Sequence, residues 1–199
     1  MDKLALCCGF FLIAPLAGAD TFDRQLASAA EERTQHEITY DGSYRAIGYP
    51  NGDVPEHIGV CTDVVIRAYR TLGVDLQQLV HEDMLAHFDL YPSQRMWGLS
   101  KTDTNIDHRR VPNLQTFFAR HGTELAQSNT AADYQAGDIV SWMLPGNLPH
   151  IGIVTNQMSA QTNRPLIVHN IGAGPRLEDV LFSYPITGHY RYRPDVYID

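Results

Sequence analysis

The sequence has few cysteines, and none of them belongs to a metal-binding pattern. Among its 199 residues there are three cysteines. Cys7 and Cys8 lie in an apolar N-terminal segment, and Cys61 is alone in the rest of the chain. A single remaining cysteine excludes an intramolecular disulfide framework. The chain also lacks HExxH and CxxC patterns, so we expect no metal site and no cofactor.

Positive charge is also scarce, with 15 Lys and Arg against 23 Asp and Glu and a net charge of −8 at pH 7. Such an acidic chain lacks the basic surface of nucleic-acid-binding proteins, so nucleic acid is not an expected partner. No internal repeat or low-complexity tract is present. With 44% hydrophobic and 19% charged residues, the composition is that of an ordinary globular protein. We expect one domain over residues 20–199, and a monomer.

One apolar run stands out, at the N-terminus. Residues 1–19 combine Lys3, an apolar stretch and a small-x-small sequence that ends at Ala19. This pattern predicts a signal peptide at residues 1–19 and a periplasmic or secreted protein with no membrane contact after cleavage. The alternatives are an uncleaved membrane anchor, for which the run is short, and a lipid anchor at Cys7 or Cys8.

The order of helical and strand patterns predicts an α+β fold. Apolar residues at helical spacing predict four helices, at residues 20–36, 58–72, from Asp75 onward, and 110–122. Runs rich in Ile, Val and Tyr predict antiparallel strands at 137–144, 150–157, 164–172 and 188–194. Residues 91–110 are expected to be irregular. Helices followed by strands within one core indicate N-terminal helices packed on a small antiparallel sheet.

Cys61 lies at the start of the second predicted helix, in "GVCTD". The unpaired N–H groups of a helix N-terminus favour an anion, which lowers the pKa of a cysteine toward the nucleophilic thiolate. We therefore expect a reactive thiol with a depressed pKa. The alternative is an inert, buried thiol, because Cys61 shares an apolar stripe of the helix with Val64, Val65, Ala68 and Leu72.

Two histidines in the strand half are candidate partners for the thiol. His150 opens "HIGIV", and His169 lies near the end of "LIVHN". A cysteine nucleophile needs a general base and usually a third group that orients the base. Taken singly, each histidine favours a structural role over a catalytic one. The combination with a lone thiol at a helix start is what favours catalysis.

His169 and its neighbour Asn170 compete for the orienting role. Side chains alternate between the faces of a strand, so these two residues point in opposite directions. His169 shares its face with Ile167 and Ile171. This apolar pair predicts that the His169 face lies against the cysteine helix, which favours His169 as the residue that orients His150.

A family resemblance rests on these motifs. The order "GVCTD", "AGDIVSWM", "PHIGIV" and "LIVHN" resembles the NlpC-type branch of the papain-like cysteine peptidases. On "YPNGDVP", "GVCTDVVIRAYR" and "NIDHRRVPNL" the chain is more closely similar to an uncharacterised bacterial family within that superfamily, known as a domain of unknown function. The resemblance implies a papain-like α+β fold with Cys61 as nucleophile, His150 as base and His169 as orienting residue.

The substrate implied by the resemblance is an amide bond in peptidoglycan stem peptides, but the sequence departs from the superfamily at one position. Relatives carry an acidic residue before the nucleophile, which grips the free amine of a cell-wall peptide, whereas this chain has Val60. Their peptide specificity therefore does not transfer. The candidate substrate-binding residues are Tyr44, Asp63, His108, Arg109, Arg110 and Asn170.

The arginine pair has two interpretations. Arginines bind carboxylates in bidentate fashion, and stem peptides are rich in carboxylates. Equally, Arg109 and Arg110 could neutralise Asp103 and Asp107 in the same segment. Together, the observations predict an exported cysteine hydrolase that acts through a thioacyl-enzyme. The alternatives are a non-catalytic cell-wall or protein binding module on the same fold, and an acyl or peptidyl transferase.

Overall fold

The computed structural model describes residues 17–194. Most of the predicted signal peptide, residues 1–19, therefore lies outside the described residues, and only its last three residues fall within the first helix. No helix of the described part of the chain is long and apolar enough to cross a membrane.

Within the described residues, five α-helices precede the four longer strands. They are α1 (Ala17–Glu32), α2 (Cys61–Thr71), α3 (Leu76–Ala86), α4 (Ser93–Trp97) and α5 (Val111–His121). Four of them correspond to the predicted helices. The segment expected to be irregular contains the short helix α4 and a 3-10 turn at Asp107–Arg109.

The part of the chain that the structure describes also contains eight strands. They are β1 (Thr39–Tyr40), β2 (Ile58–Gly59), β3 (Thr123–Glu124), β4 (Ile139–Leu144), β5 (Leu148–Met158), β6 (Pro165–His169), β7 (Arg176–Glu178) and β8 (Ile186–Arg191). A six-stranded sheet has the order β3-β8-β4-β5-β6-β7, and all of its pairings are antiparallel. The pair β1-β2 is separate and parallel.

The sheet is covered on both faces, which divides the core in two. On one face, helix residues such as Leu26, Val65 and Phe118 pack against Ile151 and other strand residues. On the opposite face, Trp142, Val154 and Ile167 pack with Leu181 from the segment between β7 and β8. The predicted α+β class, with N-terminal helices on a small antiparallel sheet, is confirmed, and this is the arrangement expected of a papain-like fold.

The second helix begins three residues later than predicted. Ile58 and Gly59 do not join the helix because they pair with Thr39 and Tyr40 in the parallel β1-β2 ladder. Val60 is extended, with φ −122° and ψ −172°, and acts as the N-cap. Cys61 is consequently the first helical residue, where a backbone N–H has no partner within the helix.

Candidate functional site

The start of α2 is stabilised by its own third residue. The Asp63 carboxylate accepts the backbone N–H of Val60 at 2.6 Å. Gly59 leaves room for this contact, since a Cβ there would lie 3.2 Å from the Asp63 Cβ. These contacts set the position at which the chain turns into the helix, and therefore the position of Cys61.

Asp63 is also half of a buried ion pair. The Arg109 Nε and Nη2 groups donate to its two carboxylate oxygens, both at 2.9 Å, and the two side chains are 2% and 4% exposed. The Thr62 hydroxyl donates to the Arg109 carbonyl at 3.1 Å. The segment 107–109 is thereby fastened to the start of α2. Arg109 thus pairs with a distant aspartate, whereas sequence analysis offered Asp103 and Asp107.

A cleft of about 240 Å³ opens at Cys61. Tyr40 from β1, Trp97 from α4 and Arg110 contribute to its walls, together with Pro149 at the start of β5. The Arg110 guanidinium lies 4.4 Å from the centroid of the Trp97 ring. The cleft therefore combines aromatic surface, two arginines (Arg109 and Arg110) and a thiol.

Cys61 itself is 5% exposed, and its protonation differs from the sequence expectation. Burial raises the pKa of the thiol to about 12, although the nearby backbone N–H groups of Ile151, Thr62 and Cys61 oppose this shift. The helix N-terminus alone does not offset the loss of water around the sulfur. In this structure the thiol is neutral at pH 7.

The two predicted histidines contact each other. His150 Nε2 and His169 Nδ1 are 2.9 Å apart, and the side chains are buried, with the residues 3% and 1% exposed. Gly152 pairs with His169 across β5 and β6. A Cβ at Gly152 would lie 2.8 Å from the Val168 carbonyl oxygen and 3.0 Å from the His169 Cβ. The glycine of "HIGIV" is therefore required for the strands to bring the imidazoles together.

The chain neighbours of His150 connect this pair to the cleft. Pro149 lines the cleft, and the nearby backbone N–H of Ile151 lowers the pKa of the Cys61 thiol. Because side chains alternate along a strand, the His150 side chain points to the sheet face opposite to that of Ile151.

The prediction that the His169 face of β6 lies against the cysteine helix is wrong, although His150 and His169 do contact each other. Val168 packs in the helix-side core, and Ile167 packs with Trp142 on the opposite face. By alternation His169 shares the Ile167 face. His150 occupies that same side of the sheet, directly across from Trp142. The contact arises because both imidazoles are on the face turned away from the helices.

Asn170 takes the position over the helix that His169 was expected to hold. Its Nδ2 lies 3.5 Å from the Gly59 carbonyl oxygen, and its Oδ1 accepts the Gly172 N–H at 3.0 Å. Ile171, expected on a core-facing side, is 44% exposed. Asn170 therefore holds the segment before Cys61 and does not contact His150.

Burial lowers the pKa of His150 to about 3, and the neighbouring His169 lowers it further. Burial also lowers the pKa of His169, and this effect is opposed by the Glu178 carboxylate. Both imidazoles are therefore neutral at pH 7 and can accept a proton. A neutral imidazole is the form of histidine that acts as a general base.

The remaining predicted substrate-binding residues differ in their exposure and in whether they line the cleft. Tyr44 is 59% exposed and its hydroxyl donates to Asp103 Oδ2 at 3.1 Å. His108 is buried, and burial lowers its pKa to about 3. Arg110 lines the cleft while donating to Asp107 Oδ1 at 2.9 Å. Arg110 therefore neutralises a local aspartate, as one interpretation has it, while its binding of a substrate carboxylate stays a prediction.

Sequence analysis missed Tyr40, the tyrosine that does line the cleft. Burial raises the pKa of Tyr40, with further contributions from Cys61 and Asp63, so its hydroxyl stays protonated and can donate. The β1-β2 pairing places Tyr40 opposite Gly59, and a two-residue ladder has no recognisable sequence pattern.

Among the described residues, no three His, Cys, Asp or Glu side chains are placed to hold a metal ion.

The neutral thiol has a measurable consequence. A pKa of about 12 leaves far less thiolate than the ordinary value near 8.5, so we expect iodoacetamide to alkylate folded Cys61 at pH 7 at least about 100-fold more slowly than free cysteine. The rate should still rise above pH 9, and denaturant should restore the ordinary rate. A rate that levels off near pH 6 would instead show the thiolate that the sequence predicts.

The site and fold define a class, an α+β protein with a cysteine at a helix start and a contacting histidine pair on adjacent strands. Residues 27–192 match the family described as "Domain of unknown function (DUF1287)", and the chain belongs to this family. It is 52% identical over 167 residues to "Uncharacterized protein YijF" of Escherichia coli (strain K12), which covers 84% of this chain and 80% of that protein. The predicted family is confirmed.

Two solved structures are similar at lower identity. NlpC1 from Trichomonas vaginalis is 15% identical with a TM-score of 0.46, over 85% of this chain and 44% of that chain. This chain thus spans less than half the length of that protein. An N-acetylmuramoyl-L-alanine amidase from Bacteroides uniformis ATCC 8492 is 14% identical with a TM-score of 0.49, over 87% of this chain and 100% of that chain.

Proposed function

We propose that this protein is an exported cysteine hydrolase that cleaves amide or peptide bonds through a thioacyl-enzyme. Cys61 is the nucleophile, His150 the general base and His169 the residue that orients the base. The observation that carries the proposal is the hydrogen-bonded imidazole pair, whose His150 directly follows the cleft residue Pro149 in the chain. Because His150 lies on the sheet face of Trp142, the proposal requires its ring to turn toward Cys61. A thiol, a base and an orienting group are the parts that covalent acyl transfer requires.

The chemistry follows from the protonation states. Because the thiol and the imidazole are both neutral, His150 takes the Cys61 proton as the sulfur attacks the substrate carbonyl carbon. The imidazolium then protonates the leaving amine as the C–N bond breaks, which leaves a thioester. Water, deprotonated by His150, attacks the thioester, and the sulfur leaves as the thiol with that proton.

The oxyanion of each tetrahedral intermediate needs hydrogen-bond donors. The Cys61 backbone N–H lies at the first position of α2 and has no partner within the helix. The Tyr40 hydroxyl, in the same cleft, is the second donor of the proposal. Removing one such donor typically lowers kcat about 100-fold to 1000-fold.

The proposed substrates are peptidoglycan stem peptides, which follow from the NlpC-type resemblance and the predicted export. Val60 precedes the nucleophile, so the acidic contact to a free amine is missing. Of the two arginines that line the cleft, Arg109 is paired with Asp63. Arg110, with Trp97 beneath its guanidinium, is the cation proposed to bind a substrate carboxylate. We therefore expect recognition of an acidic stem peptide rather than of a free amino terminus.

Purified peptidoglycan, and soluble muropeptides made from it, provide the test. Wild-type protein should release new products detected by liquid chromatography and mass spectrometry, and Cys61→Ala should release none. An added amine acceptor separates hydrolysis, which gives the free acid, from transfer, which gives the amide adduct.

The burial of Cys61, at 5% exposure, favours a second candidate function, a binding module that keeps the pocket without turnover. Binding of muropeptides that is equal for wild type and Cys61→Ala, with no product from either, would support this candidate and contradict the hydrolase.

A further inference from the structure

A glutamate lies behind the histidine pair, on a strand that sequence analysis did not predict. Strand β7 pairs with β6, and His169 is opposite Arg176 in that ladder. Two residues further on, Glu178 Oε2 is 3.0 Å from His169 Nε2. The Glu178 side chain is 51% exposed, and that of His169 is 1% exposed. A carboxylate at the surface thus contacts the inner imidazole of the pair.

His169 Nε2 depends on this carboxylate. The nitrogen is buried and has no aligned hydrogen bond, and the carboxylate is within ion-pair distance but off the hydrogen-bond direction. A buried polar nitrogen without a partner destabilises the fold. The half-exposed Glu178 carboxylate, 3.0 Å away, is the acceptor that the structure places against Nε2.

The contact determines which nitrogens carry protons. An ionised carboxylate only accepts hydrogen bonds, so His169 Nε2 carries the hydrogen. A neutral imidazole has one N–H, which leaves His169 Nδ1 bare and able to accept from His150 Nε2 at 2.9 Å. His150 Nε2 then carries the hydrogen of that ring, and its Nδ1 is bare. The nitrogen left free on His150 is therefore a base.

We propose that Glu178 is a positioning residue that fixes the tautomers of His169 and His150 so that His150 Nδ1 is free to accept a proton. The kinetic part of this proposal rests on the proposed function, whereas the tautomers are independent of it. The reverse tautomer would place a bare Nε2 against the carboxylate, which brings two acceptors together. If only one of the two rings changed its tautomer, the nitrogens that face each other between the imidazoles would both carry hydrogen or would both be bare. Neither arrangement forms a hydrogen bond.

Nitrogen NMR of the histidine side chains tests the tautomers directly. In ¹⁵N-labelled protein at pH 7, we expect His169 and His150 each to carry hydrogen on Nε2 and to have a bare Nδ1. The resonances are assigned from His150→Gln and His169→Gln. In Glu178→Leu, His169 should become a mixture of tautomers. A wild-type His169 protonated on Nδ1, or tautomers unchanged in Glu178→Leu, would overturn the proposal.

Kinetics on soluble muropeptides provide the second measurement. We expect Glu178→Leu to lower kcat about 10-fold with KM unchanged, within the range for outer groups that fix a histidine tautomer. Glu178→Gln should restore most of the rate, because its amide oxygen can accept the same hydrogen. The matched control is Glu124→Leu, an exposed glutamate on β3, which should keep both the rate and the tautomers.

The outcomes separate this proposal from the proposed function. If wild type releases no product but the tautomers shift in Glu178→Leu, the hydrolase is wrong and the positioning by Glu178 stands. If wild type is active and Glu178→Leu changes neither tautomers nor kcat, the positioning is wrong and the hydrolase stands. Equal loss of rate in Glu178→Leu and Glu178→Gln, with unchanged tautomers, also contradicts it.

Discussion

His150→Gln should lower kcat/KM on soluble muropeptides by about 10²-fold to 10⁴-fold, the contribution of a positioned general base. The thiol of Cys61 is neutral because burial raises its pKa to about 12, so attack requires that a base remove the proton. Glutamine has no basic nitrogen and keeps much of the volume that packs beside Trp142. We therefore expect a folded protein, checked by circular dichroism and thermal unfolding, that has lost its turnover.

The neighbouring variants show whether the loss follows the proposed roles. His169→Ala should lower the rate by about 100-fold, less than His150→Gln, because an orienting group does not exchange the proton itself. Asn170→Ala is the control on the same strand end, since Asn170 contacts Gly59 and Gly172, and it should keep the rate of wild type. An inactive Asn170→Ala beside an active His169→Ala would reverse the assignment.

Local patterns predicted most of the secondary structure. The end of α2 was predicted from Gly73, which has φ +78°, and the end of α5 from Gly122, its C-cap. The four longer strands of the sheet fall within or overlap the predicted runs. These features are encoded by neighbouring residues, so a single sequence is sufficient to find them.

The facing of β6 could not be predicted in the same way. Alternation identifies which residues share a face but not which face meets the helices. Here both faces are buried, since Val168 packs in the helix-side core and Ile167 in the second core. Apolar neighbours of His169 therefore do not indicate the helix side.

Contacts between distant segments were also beyond the sequence. Tyr40 reaches the cleft through the β1-β2 ladder, and Glu178 reaches His169 through the three-residue strand β7. Both elements are too short for a periodic pattern. The thiol pKa was predicted in the wrong direction because the helix N-terminus is visible in the sequence, whereas burial depends on the packing of the whole domain.

The ion pair of Asp63 also leaves no local sequence pattern, because its partner Arg109 is 46 residues away. Asp63→Asn should destabilise the folded protein by about 3–5 kcal/mol, because it leaves the buried guanidinium of Arg109 without a counter-charge. For a chain of this length that corresponds to a fall of roughly 6–20 °C in Tm. Chemical denaturation and thermal unfolding measure it. The matched control is Asp41→Asn, which removes the carboxylate of the surface pair with Arg45 and should leave the unfolding midpoint unchanged.

A double substitution separates the ion pair from the loss of one side chain. Asp63→Leu with Arg109→Met removes both buried charges, so its free energy of unfolding should fall by less than the sum of the two single variants. Part of the loss should persist, since Val60 N–H no longer has its acceptor. Stability equal to wild type in Asp63→Asn, together with weaker muropeptide binding, would show instead that Asp63 contacts the substrate, as the sequence predicts. If the losses of unfolding free energy in the two single variants simply add up to that of the double variant, Asp63 and Arg109 do not stabilise each other. The pair would then contribute nothing to holding Cys61 in position.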